Sequence, residues 1–299
     1  MDNTLIGGFS CMGSFSLDRQ TELASVALKV RDLDKMIEFY RRVLGFHLIN
    51  EENDMAIMGI GSQRKKLLGL IKEPEGKEGS NTLTGLYHVA FVLPTREEFA
   101  LFIKHLIALN YPIEGQSDHG YAECVYINDP EGNRINIGWD KPKSEWPIKD
   151  GRIYGVTKEL NIQSFLCKVK GDFEEISEGT KLGHIHLSVA DMADSYHFYR
   201  DILGFKLTNN EIISTKFLSN NDYHHQIALN EWSPASNQSL VKETDLGVDH
   251  VTFSVDSMEN LIELKEQLEQ NEITFYFNNG KKIIGLNDPN GIQLWFMVF

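Results

Sequence analysis

The chain has 299 residues, 41% hydrophobic and 24% charged, a composition that suits a folded protein with room for two ordinary domains. A formal net charge of −14 at pH 7 repels nucleic acid and anionic membrane surfaces, so neither is an expected partner. Cys11, Cys124 and Cys167 are widely spaced without a CxxC pair, which argues against a disulfide framework. No apolar run approaches the ~20 residues of a membrane span and the opening stretch lacks the form of a signal peptide, so a cytoplasmic location is expected.

Residues 1–21 read as a loose leader bearing Gly and Ser. From Val26 the apolar residues alternate (Val26, Leu28, Val30), which predicts a strand. Asp32 then caps a helix with Met36, Tyr40, Val43 and Leu44 on one face, and Gly45 ends it. Short strands follow around "FHLIN", "MAIMGI" and "KKLLGLI". The order restarts at "LYHVAFVL", continues through the helix "REEFALFIKHLIALN", and closes with "ECVYI" and "RINIGW" around the turn "NDPEGN". Each unit is thus strand, helix and three-stranded meander.

The pattern then repeats. "VALKVRDLDKMIEFYRRVLGF" (Val26–Phe46) lies without a gap over "IHLSVADMADSYHFYRDILGF" (Ile185–Phe205), and "NDPEG" at Asn128 lies over "NDPNG" at Asn287 with the same offset. The chain is a duplication, giving four βαβββ units in two halves, 22–140 and 181–299. The stretch 141–180 is polar and irregular and reads as a crossing linker with one short helix, pinned by Trp146. The expected fold class is α+β, with the four units forming two curved mixed sheets.

These units, the "D…FY…LGF" helix and the "DPxGN" turn resemble the vicinal oxygen chelate superfamily, which holds glyoxalase I, antibiotic-resistance proteins and extradiol ring-cleaving dioxygenases. "GLYHVAFVLPTREEF", "GHIHLSVADM" and "YHHQIALNEW" are similar to the two-domain catechol 2,3-dioxygenase branch of bacilli. The resemblance implies a cavity in each sheet and a divalent metal held by first- and last-strand residues of paired units. In the dioxygenases two His and one Glu hold Fe(II), leaving positions open for catecholate and oxygen. The implied first-strand positions here are Ser25, His88, His184 and His250, and the last-strand positions are one near Leu67, then Asn136, Gln226 and Trp295.

Which four meet depends on which units pair. Units two and three would assemble His88, His184, Asn136 and Gln226, the pairing the resemblance favours. Units three and four would assemble His184, His250, Gln226 and Trp295. The family pattern is broken in both last-strand positions, because Asn136 stands where the carboxylate of "GIEMY"-like strands would be and Gln226 where a histidine would be. Neutral amides bind Fe(II) weakly, so Zn or Ni becomes an alternative, and a metal-free site a third. His224, placed on the same face as Gln226, and His250 are secondary ligand candidates.

His119 is expected as a general acid/base or, more plainly, as a turn residue capping Asp118. His186 is expected to orient substrate or a ligand, or to line a wetted wall. His225 reads as a strand-end packing group, and Tyr87 and Tyr223 read as core. The sequence-level function is a metal-dependent catechol-2,3-dioxygenase-like protein with an atypical site, acting on a small aromatic or vicinal-oxygen compound. A glyoxalase-like lyase or isomerase, which needs a carboxylate base, and a non-catalytic aromatic-binding module are the alternatives. Either a monomer or a homodimer is compatible with the sequence.

Overall fold

The computed structural model of the chain describes residues 15–77, 84–167, 169–210, 212–232 and 240–299; Cys11 and most of the leader lie outside them. Unit one comprises β1 (Glu22–Val30), α1 (Leu33–Arg42), β2 (His47–Glu52), β3 (Met55–Ile60) and β4 (Lys65–Lys72). Unit two comprises β5 (Gly85–Leu93), α2 (Arg96–Ala108), β6 (Gly115–Asp118), β7 (Ala122–Asn128) and β8 (Arg134–Asp140). The linker holds a two-stranded ribbon, β9 (Ile148–Lys149) and β10 (Arg152–Ile153), and the short helix α3 (Gln163–Leu166). Unit three comprises β11 (Lys181–Ser188), α4 (Met192–His197) continuing as a π-helical turn (Phe198–Ile202), β12 (Lys206–Asn209), β13 (Thr215–Ser219) and β14 (Ile227–Asn230). Unit four comprises β15 (Gly247–Ser254), α5 (Met258–Gln270), β16 (Phe275–Asn278), β17 (Ile283–Asn287) and β18 (Gln293–Met297).

The two eight-stranded sheets run β12-β13-β14-β11-β5-β8-β7-β6 and β16-β17-β18-β15-β1-β4-β3-β2. Unit two therefore pairs with unit three through the antiparallel β5–β11 seam, and unit one with unit four through β1–β15. Each of the halves 22–140 and 181–299 gives one unit to each sheet, so a half is a unit of sequence and not of sheet pairing. A single contiguous apolar core spans both sheets, and the strand alternation feeds it: Val26, Leu28 and Val30 of β1 and Ile185 and Leu187 of β11 are fully buried there.

The repeated motifs join the two units within each half. Asp32 and Asp191 cap α1 and α4, each accepting a hydrogen bond from the backbone N–H three residues on. The buried Tyr40 hydroxyl donates to Asp129 Oδ2 at 3.1 Å, and Tyr199 repeats this with Asp288 at 3.0 Å. The other oxygen of each aspartate ties its own "NDPxG" turn by accepting backbone N–H groups. The helix of one unit is thereby locked to the turn of the next. Gly45 and Gly204 end their helices at φ of +73° and +79°, with crossing backbone packed against them: Ile176 N lies 2.8 Å and Leu17 N 2.5 Å from where a Cβ would stand. No helix among the described residues is long and apolar enough to cross a membrane.

Candidate functional site

The sheet of units two and three encloses a cavity of about 320 Å³, within the range of small-molecule sites. Its walls come from the concave faces of β5, β7, β8 and β11, from the turn 221–226 leading into β14, and from the linker at Thr157. Alternation along β11 sends His184 and His186 into it while Ile185 and Leu187 go to the core. Gly183 lies at a register shift in the β5–β11 pairing. A Cβ there would stand 2.5 Å from Val92 Cγ2, so any larger residue would have to displace the Val92 side chain.

His88 and His184 meet, with their Nε2 atoms 2.9 Å apart. His186 packs edge-on to Tyr87 and His88, each with ring centroids 4.9 Å away, and 5.4 Å from Trp232. His225 lies over His184 at 4.2 Å and against Phe217 at 4.8 Å. His88 Nδ1, His184 Nδ1 and His186 Nε2 are buried without a hydrogen-bond partner among the described residues. Such orphaned polar atoms are costly unless a ligand or solvent satisfies them.

A second set of contacts fixes protons. Asp140 accepts from the Tyr223 hydroxyl at 2.7 Å and from His224 Nε2 at 3.1 Å. Burial opposes ionisation of Asp140, but the His224 hydrogen bond, the Lys181 charge and the Tyr223 hydroxyl outweigh it and hold the carboxyl below its ordinary range. With its proton on Nε2, neutral His224 must accept at Nδ1, so His225 Nδ1 donates across the 2.8 Å separation. The neutral His225 ring is then left with its Nε2 lone pair without a hydrogen-bond partner among the described residues. Tyr121 and Trp146 pack on His224 at 4.4 and 5.3 Å and keep its ring in place.

His119 Nδ1 donates to the Val156 carbonyl at 3.1 Å, leaving Nε2 to accept from the Tyr126 hydroxyl at 3.2 Å. It does not cap Asp118, which instead accepts from Gly120 N and Lys141. Burial pushes His88, His119, His184, His186, His224 and His225 all below the ordinary histidine range, His186 to about 3. At neutral pH the cavity therefore presents uncharged imidazoles. Among its lining residues Arg134 is the cation, donating to the Tyr87 hydroxyl at 2.8 Å and lying 4.7 Å over the Tyr126 ring.

Of the four ligands expected from the sequence, three reach this cavity: His88, His184 and Asn136. The Asn136 amide is hydrogen-bonded to the Cys124 thiol, which burial raises to about 11. Gln226 is elsewhere. Its Oε1 accepts from Ser219 Oγ and Asn220 N and its Nε2 donates to the Thr21 carbonyl, so every polar atom is used away from the histidines. The cause is that β14 begins only at Ile227, so alternation carried back through 221–226 gives the wrong face. For the same reason His225 is a cavity residue, not a packing group, and His224 joins Asp140 rather than replacing Gln226.

His250 belongs to the other sheet, stacked on Trp295 at 4.2 Å and bonded through Nδ1 to Asp249 at 2.6 Å. Tyr87 is a cavity-wall residue and not core, whereas Tyr223 packs on the small Tyr121–Trp146 cluster as expected and also lines a neighbouring cleft. Trp146 is buried and donates to the Lys141 carbonyl, pinning the linker as expected. Arg134 was not anticipated. Among the described residues no three His, Cys, Asp or Glu gather closely enough to hold a metal ion. The two-His, one-carboxylate set for Fe(II) is not completed by this donor chemistry.

Comparison with known proteins agrees with this architecture. The family model described as the Glyoxalase/Bleomycin resistance protein/Dioxygenase superfamily matches residues 22–137 and again 181–296. A catechol-2,3-dioxygenase of Bacillus subtilis (strain 168) is 31% identical over 284 residues, covering 87% of this chain and 99% of that protein. Among solved structures, glyoxalase I from Zea mays superposes with a TM-score of 0.57 at 15% identity, covering 93% of this chain and 92% of the other. The cppA protein of Streptococcus pneumoniae TIGR4 gives the same TM-score of 0.57 at 14% identity, covering 96% of this chain and all of the other. With two copies of the family's unit pair in sequence and the two curved sheets in space, the chain belongs to the Glyoxalase/Bleomycin resistance protein/Dioxygenase superfamily.

Proposed function

We propose that the cavity of units two and three binds a small hydroxylated aromatic compound and accepts its hydroxyl proton on His225, without an iron centre. The observation that carries this is the Asp140–His224–His225 chain, which leaves a bare imidazole nitrogen on a wall otherwise built of neutral rings. Burial makes the empty-site His225 a weak base, but the phenolate formed beside it and the Asp140 charge reached through His224 would favour its protonated form. The aromatic and imidazole edges suit a flat ring, and Arg134 would offset the phenolate charge. The similarity to a catechol-2,3-dioxygenase supports the same ligand class. The glyoxalase-like alternative loses support, because the cavity carboxylate Asp140 is already engaged by His224 and Tyr223.

A second reading is favoured by one distance. Two metal–imidazole bonds of ~2.1 Å put their nitrogens about 3.0 Å apart at right angles and about 3.4 Å apart at the tetrahedral angle of zinc, so the 2.9 Å between His88 and His184 suits a six-coordinate ion. These two residues would then hold such an ion with Asn136 as a weak third donor, favouring imidazole-preferring Ni over Fe(II).

A spectral titration with 4-nitrocatechol tests the first reading, since the probe's absorbance reports its ionisation. Saturable binding in chelator, with the bound probe ionising at lower pH than the free one, is expected. His225→Leu should retain binding and abolish that ionisation shift. An unchanged shift in His225→Leu, or binding that appears only with added metal, contradicts it.

A further inference from the structure

We infer that a second cleft, at the junction of the two sheets, binds a small polyanion through phosphoryl groups. This cleft, of about 790 Å³, lies between β1 and β4 on one side and β11 and the turn 221–226 on the other. It gathers Arg19, Arg64, Lys65, Lys66, Lys143 and Lys181, against only two acidic side chains, Glu22 and Asp222. A chain with formal charge −14 thus concentrates six of its 29 basic residues around one space. A concave site lined by one sign of charge focuses the field and raises the local concentration of counter-ions.

The pairing pattern separates this cleft from an ordinary salt-bridged surface. Arg19 is matched by Asp222, and Lys181 lies 3.6 Å from Asp140. The remaining four cations make no direct ion pair with a carboxylate among the described residues, Lys65 having Glu22 only as a more distant counter-charge. Arg64 and Lys65 donate to the backbone carbonyls of Ile49 and Thr180, and Lys143 lies 5.7 Å from the centre of the Trp146 ring. Lys66 is half-buried, with its stem over Gly69 and no hydrogen-bond or ion-pair partner among the described residues. Burial lowers the affinity of both Lys65 and Lys66 for their protons; at Lys65 the Glu22 carboxylate opposes this and the Lys181 charge adds to it. Two partly dehydrated ammonium groups, Lys65 and Lys66, lining one space with four other cations are relieved together by an anion with more than one charge. Ammonium groups bind phosphoryl oxygens as compact point charges, and the guanidinium fork of Arg64 matches phosphoryl oxygens as well.

The cleft shares a wall with the histidine cavity. Tyr223 lines this cleft with its ring 4.4 Å from Lys181 Nζ, and its hydroxyl donates to Asp140. The inference does not rest on the proposed aromatic ligand, because none of its cations faces that cavity.

Pyrophosphate is the probe, titrated calorimetrically into the full chain at low salt with tryptophan fluorescence followed in parallel. One site per chain is expected, weakening as chloride is raised. Lys66→Gln should weaken binding by about tenfold, the loss of one charged contact. Lys66→Arg should restore most of the affinity, and Lys206→Gln, outside the cleft, should leave it unchanged. Circular dichroism of each variant establishes that it is folded. No saturable binding by the folded parent, or equal affinity in Lys66→Gln, overturns the site. Equal affinity for citrate overturns the assignment to phosphoryl groups.

Discussion

Acid should destabilise this fold through its buried imidazoles, and His186 offers the cleanest measurement. Its folded-state value is about 3, driven down first by burial and then by the Arg134 charge, whereas an unfolded histidine titrates near the ordinary ~6.5. Between those values the unfolded chain binds the extra proton, so stability is present above about pH 6.5 and is lost as pH falls toward 3. Each pH unit in this window costs about 1.4 kcal/mol for the one residue. From pH 6.5 to 4.5 the cost is therefore about 3 kcal/mol, a large part of the ~5–15 kcal/mol typical of a folded domain. Asp129, pushed up to about 6 by burial, and Asp288, raised for the same reason, act in the opposite direction. The diagnostic quantity is therefore the difference between the parent and His186→Phe.

The Phe variant keeps a ring against Tyr87 and Trp232 and removes the unpartnered Nε2. Urea unfolding followed by tryptophan fluorescence at pH 7.5, 6.5, 5.5 and 4.5 should give similar stabilities at the highest pH. The variant should then gain on the parent by about 1.4 kcal/mol per unit below pH 6.5. Parallel curves for the two proteins would refute the assignment of His186 as a buried, neutral imidazole.

Other outcomes follow from the same contacts. Tyr199→Phe removes a donor from buried Asp288 and should cost about 1–3 kcal/mol in urea unfolding, while leaving 4-nitrocatechol affinity unchanged. Gly204→Ala places a Cβ 2.5 Å from Leu17 N at positive φ, so it should cost at least the ~1–2 kcal/mol of left-handed backbone strain. Gly171→Ala, also at positive φ but with nothing within 4 Å, should cost less in the same assay. Asn136→Glu introduces a carboxylate in the cavity holding His88 and His184, and should strengthen Fe(II) binding by an order of magnitude or more in a competitive titration. An unchanged affinity would show that position 136 cannot reach a shared ion.

Much of this was legible because the physical signal was local. The 159-residue offset between Val26 and Ile185 marks the duplication, and alternation in "GHIHLSV" correctly sends His184 and His186 to one wall. The pairing of units two and three followed only from resemblance, since nothing in a single strand names its partner. Gln226 and His225 were misplaced because a strand period was extended through a turn. The run "SNND" before "YHHQ" carries the signal for that turn: Asn221 N donates to Ser219 Oγ and Asn221 Oδ1 accepts from Tyr223 N, curling the chain before β14 starts. The bare nitrogen of His225 was out of reach for another reason. Its proton position depends on Asp140, about 85 residues away in sequence, and no local pattern encodes that contact.

The central claim is that the histidine cavity holds a hydroxylated aromatic ring without an iron centre. Its most direct test is metal analysis of protein purified without chelators, combined with calorimetric titration of catechol before and after EDTA treatment. The account predicts substoichiometric iron and the same one-to-one catechol affinity in both samples. Stoichiometric iron with catechol binding and oxygen uptake, both abolished by EDTA and restored by Fe(II), would contradict it.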